Sequence, residues 1–142
     1  MADAHPLEVF VGEWTAAGTL PLDDPIDFTG RATFEWLGQF LVYRATIDDQ
    51  PSFPTVLAVI EPLDTGDYTQ HYFDSRGVKR TYDMTFDGTT WQLIRMGADD
   101  DFFQRFTGVV SDDKRTIDAQ WEIAEDKVTF EFDFGLTYTK VG

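Results

Sequence analysis

The chain has 142 residues, enough for one domain whose core closes without a metal or a disulfide. Cysteine is absent, which excludes disulfides and thiol chemistry, and 13 Phe, 5 Tyr and 4 Trp supply a large apolar interior or a lined cavity. With 11 Lys and Arg against 26 Asp and Glu the net charge is −15, which argues against nucleic acid or an anionic membrane surface as partner.

The acidic residues gather in turn-like places, Asp23-Asp24, Asp48-Asp49, Asp99-Asp100-Asp101 and Asp112-Asp113, and read as a solvated exterior. No signal-peptide core and no apolar run long enough to span a bilayer is present, so a cytoplasmic protein is expected. The whole chain, 1–142, reads as a single domain, with 1–5 as a mobile arm.

In chain order, residues 6–11 (PLEVFV) suit a short helical turn with proline at its start, and Phe10 is placed to plug the base of a barrel. A strand follows Gly12-Glu13-Trp14 as far as Leu20. Residues 26–37 form the second strand, with Phe28, Gly30, Ala32, Phe34 and Trp36 on one face. The small Gly30 and Ala32 leave room for a close approach or a bend. A two-residue turn at Gly38-Gln39 would point Leu41, Tyr43 and Ala45 inward and Arg44 outward; a three-residue turn would reverse them. Residues 48–54 are a polar loop, and 55–61 (TVLAVIE) a nearly continuous apolar strand.

The stretch 68–95 carries the strongest functional signal, as three strands joined at Asp74-Ser75-Arg76-Gly77 and Asp87-Gly88. In the middle strand Val78, Arg80, Tyr82, Met84 and Phe86 alternate with Lys79, Thr81, Asp83 and Thr85, the period of a half-buried strand. If the second loop is Asp87-Gly88, Met84 faces Trp91, Tyr82 faces Leu93 and Arg80 faces Arg95. Two opposed guanidinium groups at ~6 Å and an effective dielectric of ~20 repel by roughly 3 kcal/mol. Either an anion, a carboxylate or a set of carbonyls lies between them, or one arginine snorkels to the rim or stacks on Trp91 or Tyr82. The first loop leaves two registers: one places His71 and Phe73 inward beside Arg80 and Tyr82, and a three-residue loop places Gln70 and Tyr72 there. The inward His71 is the reading adopted.

Three strands follow, over 102–110, 116–123 and 128–139. In the last, Val128, Phe130, Phe132, Phe134, Leu136 and Tyr138 alternate with polar residues. About ten strands at spacings of roughly 8–12 residues, with no sustained helical period, predict an all-β antiparallel meander closed into a barrel. Closure removes exposed edges, and a barrel of this size can hold one small ligand.

Several motifs also resemble a family. Gly12-Glu13-Trp14, after a short helical turn, is similar to the G-x-W signature of lipocalins and related calycin barrels, and Lys140 stands late in the final strand where the lipocalin pattern has an arginine. VGEW at 11–14, GRATFEWLGQFLVYR at 30–44, HYFDSRG at 71–77 and the terminal LTYTK resemble a group of small bacterial lipocalin-like proteins of unknown function. The ten short strands are also similar to fatty-acid-binding proteins and nitrobindins. The resemblance implies a lipocalin-like, ligand-binding barrel and transfers no activity, because the fold hosts many functions. Nitrobindin-type barrels hold haem through a histidine near the C-terminal end. Only His5 and His71 occur here, so haem is not expected, nor any other cofactor.

There is no phosphate-binding glycine loop, no G-x-S-x-G elbow and no calcium-loop template, and two histidines without cysteine do not make an ordinary zinc site. The leading expectation is a non-catalytic carrier or sensor for a small, largely apolar, anionic molecule. Its candidate ligand-binding residues are Trp36, His71, Arg80, Tyr82, Trp91, Arg95, Arg105 and Phe132. The alternatives are an isomerase, cyclase or lyase using His71 or Tyr82 as acid or base, and a filled barrel with a structural or interaction role. Dimerisation is left open.

Overall fold

The computed structural model describes residues 5–48 and 53–142. Residues 1–4 of the expected arm and 49–52 of the expected polar loop lie outside the described residues. A 3-10 helix, Pro6–Phe10, precedes ten strands: β1 (Gly12–Leu20), β2 (Ile26–Leu37), β3 (Phe40–Ile47), β4 (Val56–Pro62), β5 (Tyr68–Asp74), β6 (Lys79–Phe86), β7 (Thr90–Arg95), β8 (Phe103–Val110), β9 (Thr116–Ala124) and β10 (Glu131–Lys140). Each strand pairs antiparallel with its sequence neighbour, and β1 closes on β10, so the meander forms a barrel with no free edge. No helix among the described residues is long and apolar enough to cross a membrane.

The turns decide which side chains face in. Gly38-Gln39 is a two-residue connection, since Leu37 pairs with Phe40. Leu41, Tyr43 and Ala45 therefore face the interior and Arg44 faces out. At the β5–β6 corner Asp74 donates its amide to the Val78 carbonyl (3.0 Å), leaving a three-residue loop with Gly77 at φ +86°. Positive φ at that third loop position is where glycine is needed. This register turns Gln70 and Tyr72 inward and puts His71 on the outer face, where it pairs with Val59 across the ladder and meets Glu61 at 3.1 Å. The inward His71 is thus corrected by one residue of loop length.

At the β6–β7 corner the faces are as expected but the pairing is shifted by two. Met84 lies opposite Leu93 and Phe86 opposite Trp91. The Asp87 carboxylate accepts from the Thr89 and Thr90 amides (2.9 and 2.7 Å), which moves the turn to Gly88-Thr89. Arg80 and Arg95 are consequently not directly opposed.

The final strand differs most from its pattern. It begins only at Glu131, and its pairing with β9 slips between Phe132 and Phe134. Asp133 is the extra residue of a β-bulge. Phe132 is thrown to the outside, 58% exposed, while Phe134, Leu136 and Tyr138 keep the inner face. Gly30 is buried because the Thr46 carbonyl and the Ile47 side chain occupy the space a Cβ would need, so the close approach there is by the chain itself.

The 3-10 helix closes one end. Pro6 starts it, and the His5 ring nitrogen caps it by accepting from the Leu7 amide at 3.1 Å. Phe10 is fully buried against Phe34, Phe86 and Trp91, with ring centroids 4.9–5.3 Å away. Trp14 donates its indole N–H to the Phe10 carbonyl (2.8 Å), and Lys140, its partner across the β1–β10 ladder, sets its ammonium 5.5 Å from the Trp14 ring. The lower half of the barrel is therefore packed solid, with Leu41, Ile60, Met84, Leu93, Phe106 and Ile117 fully buried around this plug.

Candidate functional site

Above the plug the barrel is hollow. Eight strands make an interior that side chains just fill, and ten make a wider one. The upper half encloses a cavity of about 530 Å³. Several inner-face residues are only half-buried because they border it, among them Tyr43, Ala45, Tyr72, Arg80, Trp121 and Phe134.

The polar groups of this chamber are graded from floor to mouth. Deep in the barrel the Tyr43 and Tyr138 hydroxyls meet at 3.1 Å. They come from strands far apart in sequence. Of the two intervening strands, β1 sets Ala16 beside Tyr138 and β2 sets Gly30 beside Ala16, while Phe34 pairs with Tyr43 and packs against its ring at 4.8 Å. Burial pushes both phenols up, so both stay neutral donors. Trp91 forms part of the floor, and its indole N–H has no partner among the described residues; nor has the side-chain carbonyl of Gln70. Midway, the Tyr82 hydroxyl donates to Gln104 (3.1 Å); burial raises this phenol too, opposed by the nearby Arg80 and Arg95.

Charge appears only toward the mouth. Asp74, whose carboxylate is fully covered, accepts from the Tyr72 hydroxyl (2.7 Å), the Arg76 guanidinium (2.6 Å) and the amides of Arg76 and Val78. Those donors hold its carboxyl far below the usual range, and burial together with Asp74 drives the Tyr72 phenol up. Asp133, turned toward the chamber by its bulge, is pushed up by burial, with Glu125 adding to the effect. Arg80 lines the chamber with its guanidinium 5.3 Å from the Phe102 ring, and among the described residues no carboxylate pairs with it.

Of the eight residues expected from sequence, Arg80, Tyr82 and Trp91 come together on the chamber wall. Arg95 is on the inner face at the mouth but is tied into the 96–102 connection: it donates to the Phe102 carbonyl (2.8 Å), pairs with Asp101 (3.1 Å) and Asp100 (3.6 Å), and lies 4.9 Å from the Phe102 ring. The arginine repulsion is thus relieved by these carboxylates and by a shared aromatic ring. Trp36 serves the base, where its indole donates to Glu8 (2.8 Å) and the His5 ring meets it edge-on at 4.7 Å. The other three are outside. His71 pairs with Glu61, Arg105 makes a two-pronged contact with Glu122 (2.9 and 3.0 Å) under which Phe130 lies, and Phe132 is exposed.

The wall also holds residues that sequence reasoning left out of the site: Tyr43, Tyr138, Gln70, Tyr72, Gln104 and Asp133. Gln70 and Tyr72 were carried by the alternative loop register. Strand alternation turns Tyr43 and Tyr138 inward but holds no sign that their hydroxyls meet, and Asp133 depends on a bulge. Among the described residues no group of His, Asp and Glu is placed to hold a metal ion.

Comparison of the sequence with known protein families and with curated proteins finds no match. The fold is similar to solved structures, including the crystal structure of Rv2717c from M. tuberculosis, at a TM-score of 0.70 and 9% identity over 99% of this chain and 100% of that one, a likeness that establishes the barrel fold alone.

Proposed function

We propose that the chamber binds a small, largely apolar molecule carrying one anionic group, and that the protein acts as a carrier or sensor in the manner of lipocalin-like barrels. The observation that carries this reading is a cavity of about 530 Å³, walled by aromatics, with Arg80 as a chamber-lining cation that no described carboxylate neutralises. Cavities of that size take metabolite- or lipid-sized ligands, with apolar walls giving affinity and a few polar groups giving orientation. A carboxylate at Arg80 would gain a charge-assisted contact, whereas Arg76 and Arg95 already hold aspartates.

A filled barrel has no such space. Of the two acid–base candidates of the enzyme alternative, His71 faces out, and Tyr82 faces the chamber with its hydroxyl donated to Gln104 and its phenol raised by burial. The test is native mass spectrometry of the purified protein, followed by titration with medium-chain carboxylates and their matching alcohols. A mass excess lost on denaturation, and an acid-over-alcohol preference that falls about tenfold in Arg80→Gln, are expected. No bound mass and no binding of either series would defeat the reading.

A further inference from the structure

We infer that the Tyr43–Tyr138 hydroxyl pair is an acceptor subsite at the deep end of the chamber, so that the ligand bears a neutral carbonyl or ether oxygen at its inner end and its anionic group at the mouth. This rests on the carrier reading above and adds to it the ligand's second functional group and its direction of entry.

Two hydroxyls hold two O–H hydrogens, and the contact at 3.1 Å uses one. Whichever phenol accepts keeps its own hydrogen, and neither phenol has another hydrogen-bond partner among the described residues. The pair therefore always has one O–H to offer, and both residues border the cavity. A donor polarised by a second donor behind it gives a stronger hydrogen bond than an isolated one.

A second unused donor lies in the same neighbourhood. The Trp91 ring centroid is 6.4 Å from that of Tyr138, and its buried indole N–H is without a partner. Indole N–H groups and phenols normally find partners when buried. The deep end of the chamber thus holds two donors without an acceptor, the spare phenol O–H and the Trp91 indole N–H, and on the same wall the Gln70 carbonyl is an acceptor without a donor.

Charge decides what kind of acceptor fits. No cation stands beside Tyr43 or Tyr138 among the described residues, and burial there disfavours negative charge, as the raised phenols show. A carboxylate at this end would be desolvated without compensation, whereas a neutral oxygen gains the hydrogen bond. Arg80, second residue of β6, stands at the opposite, open end. The two ends of the chamber consequently select different oxygens.

The probes are straight-chain carboxylates of eight, ten and twelve carbons, each with and without a ketone at the penultimate carbon, titrated calorimetrically into the wild-type protein and into Tyr43→Phe, Tyr138→Phe and Arg80→Gln. The expected result is that one length of keto acid binds about tenfold more tightly than its parent acid. That advantage disappears in both phenylalanine variants, while Arg80→Gln weakens keto acid and parent alike. An unchanged thermal melting midpoint and near-ultraviolet circular dichroism spectrum report that the phenylalanine variants are folded. Equal binding of keto and parent acids at every length, or a keto advantage that survives in both phenylalanine variants, overturns the subsite and leaves the carrier reading standing. If neither series binds, the carrier reading falls and the subsite with it.

Discussion

The two halves of this barrel have the same strands, the same closure and a similar supply of aromatics, yet they end differently. Below, the 3-10 helix delivers Phe10 into a ring of Phe34, Leu41, Ile60, Met84 and Phe106, Trp14 of β1 ties its indole to the Phe10 carbonyl, and no space is left. Above, the wall alternates aromatic rings with Tyr43, Gln70, Tyr72, Arg80, Gln104 and Asp133, and the centre is empty. Ten strands make a cylinder too wide for one layer of side chains, so the lower half is solid only because a separate segment fills it. The proposed ligand site lies in the half that lacks a plug.

The largest way to break the contrast is to remove the plug. Phe10→Ala should cost about 3–5 kcal/mol, read from urea unfolding, because a fully buried ring leaves a cavity with no means of collapse. A loss below ~1 kcal/mol would show that the lower half does not depend on the helix.

Next in size is the corner that supports the mouth. Asp74→Ala strands the Tyr72 hydroxyl and the amides of Arg76 and Val78, and should cost about 2–3 kcal/mol. Because the folded carboxyl of Asp74 is depressed below its ordinary 3.8, its contribution is complete above that value and is lost as the pH falls beneath it. The wild type should therefore lose stability in acid more steeply than Asp74→Ala, as followed by urea midpoints between pH 5 and pH 2.

A matched pair of enlargements compares filled and empty space directly. Ala58, fully buried, should lose roughly 1–3 kcal/mol as leucine. Ala45 borders the cavity, and Ala45→Leu should change stability by less than ~0.5 kcal/mol while reducing carboxylate binding. A small effect is expected at Asp133. Its folded carboxyl is raised, so ionising it at neutral pH works against folding, and the penalty fades as the pH drops through the ordinary carboxylate range. Asp133→Asn should raise the melting midpoint by about 1–3 °C at pH 7 and by nothing at pH 3.

Much of this architecture was legible in the residues. Period-two alternation placed Phe34, Tyr82, Met84, Trp91 and Leu93 on the inner face, and Pro6 with Phe10 announced the helical plug. The chamber wall was less legible because parity depends on loop length. One residue in the Asp74 corner exchanged His71 and Phe73 for Gln70 and Tyr72, and one extra residue at Asp133 expelled Phe132 from the strongest strand pattern in the chain. A side chain's own sequence neighbourhood holds no record of either.

The sequence by itself therefore determined the count of about ten strands, the antiparallel meander and the inward faces of β2, β6 and β7, since these follow from local periodicity, turn chemistry and hydrophobic demand. Only the tertiary structure decided that the chamber-lining Arg80 has no described carboxylate partner, that Arg95 is spent on Asp100 and Asp101, and that Tyr43 meets Tyr138 across β1 and β2. Those outcomes depend on register and closure, which bring together groups up to 95 positions apart.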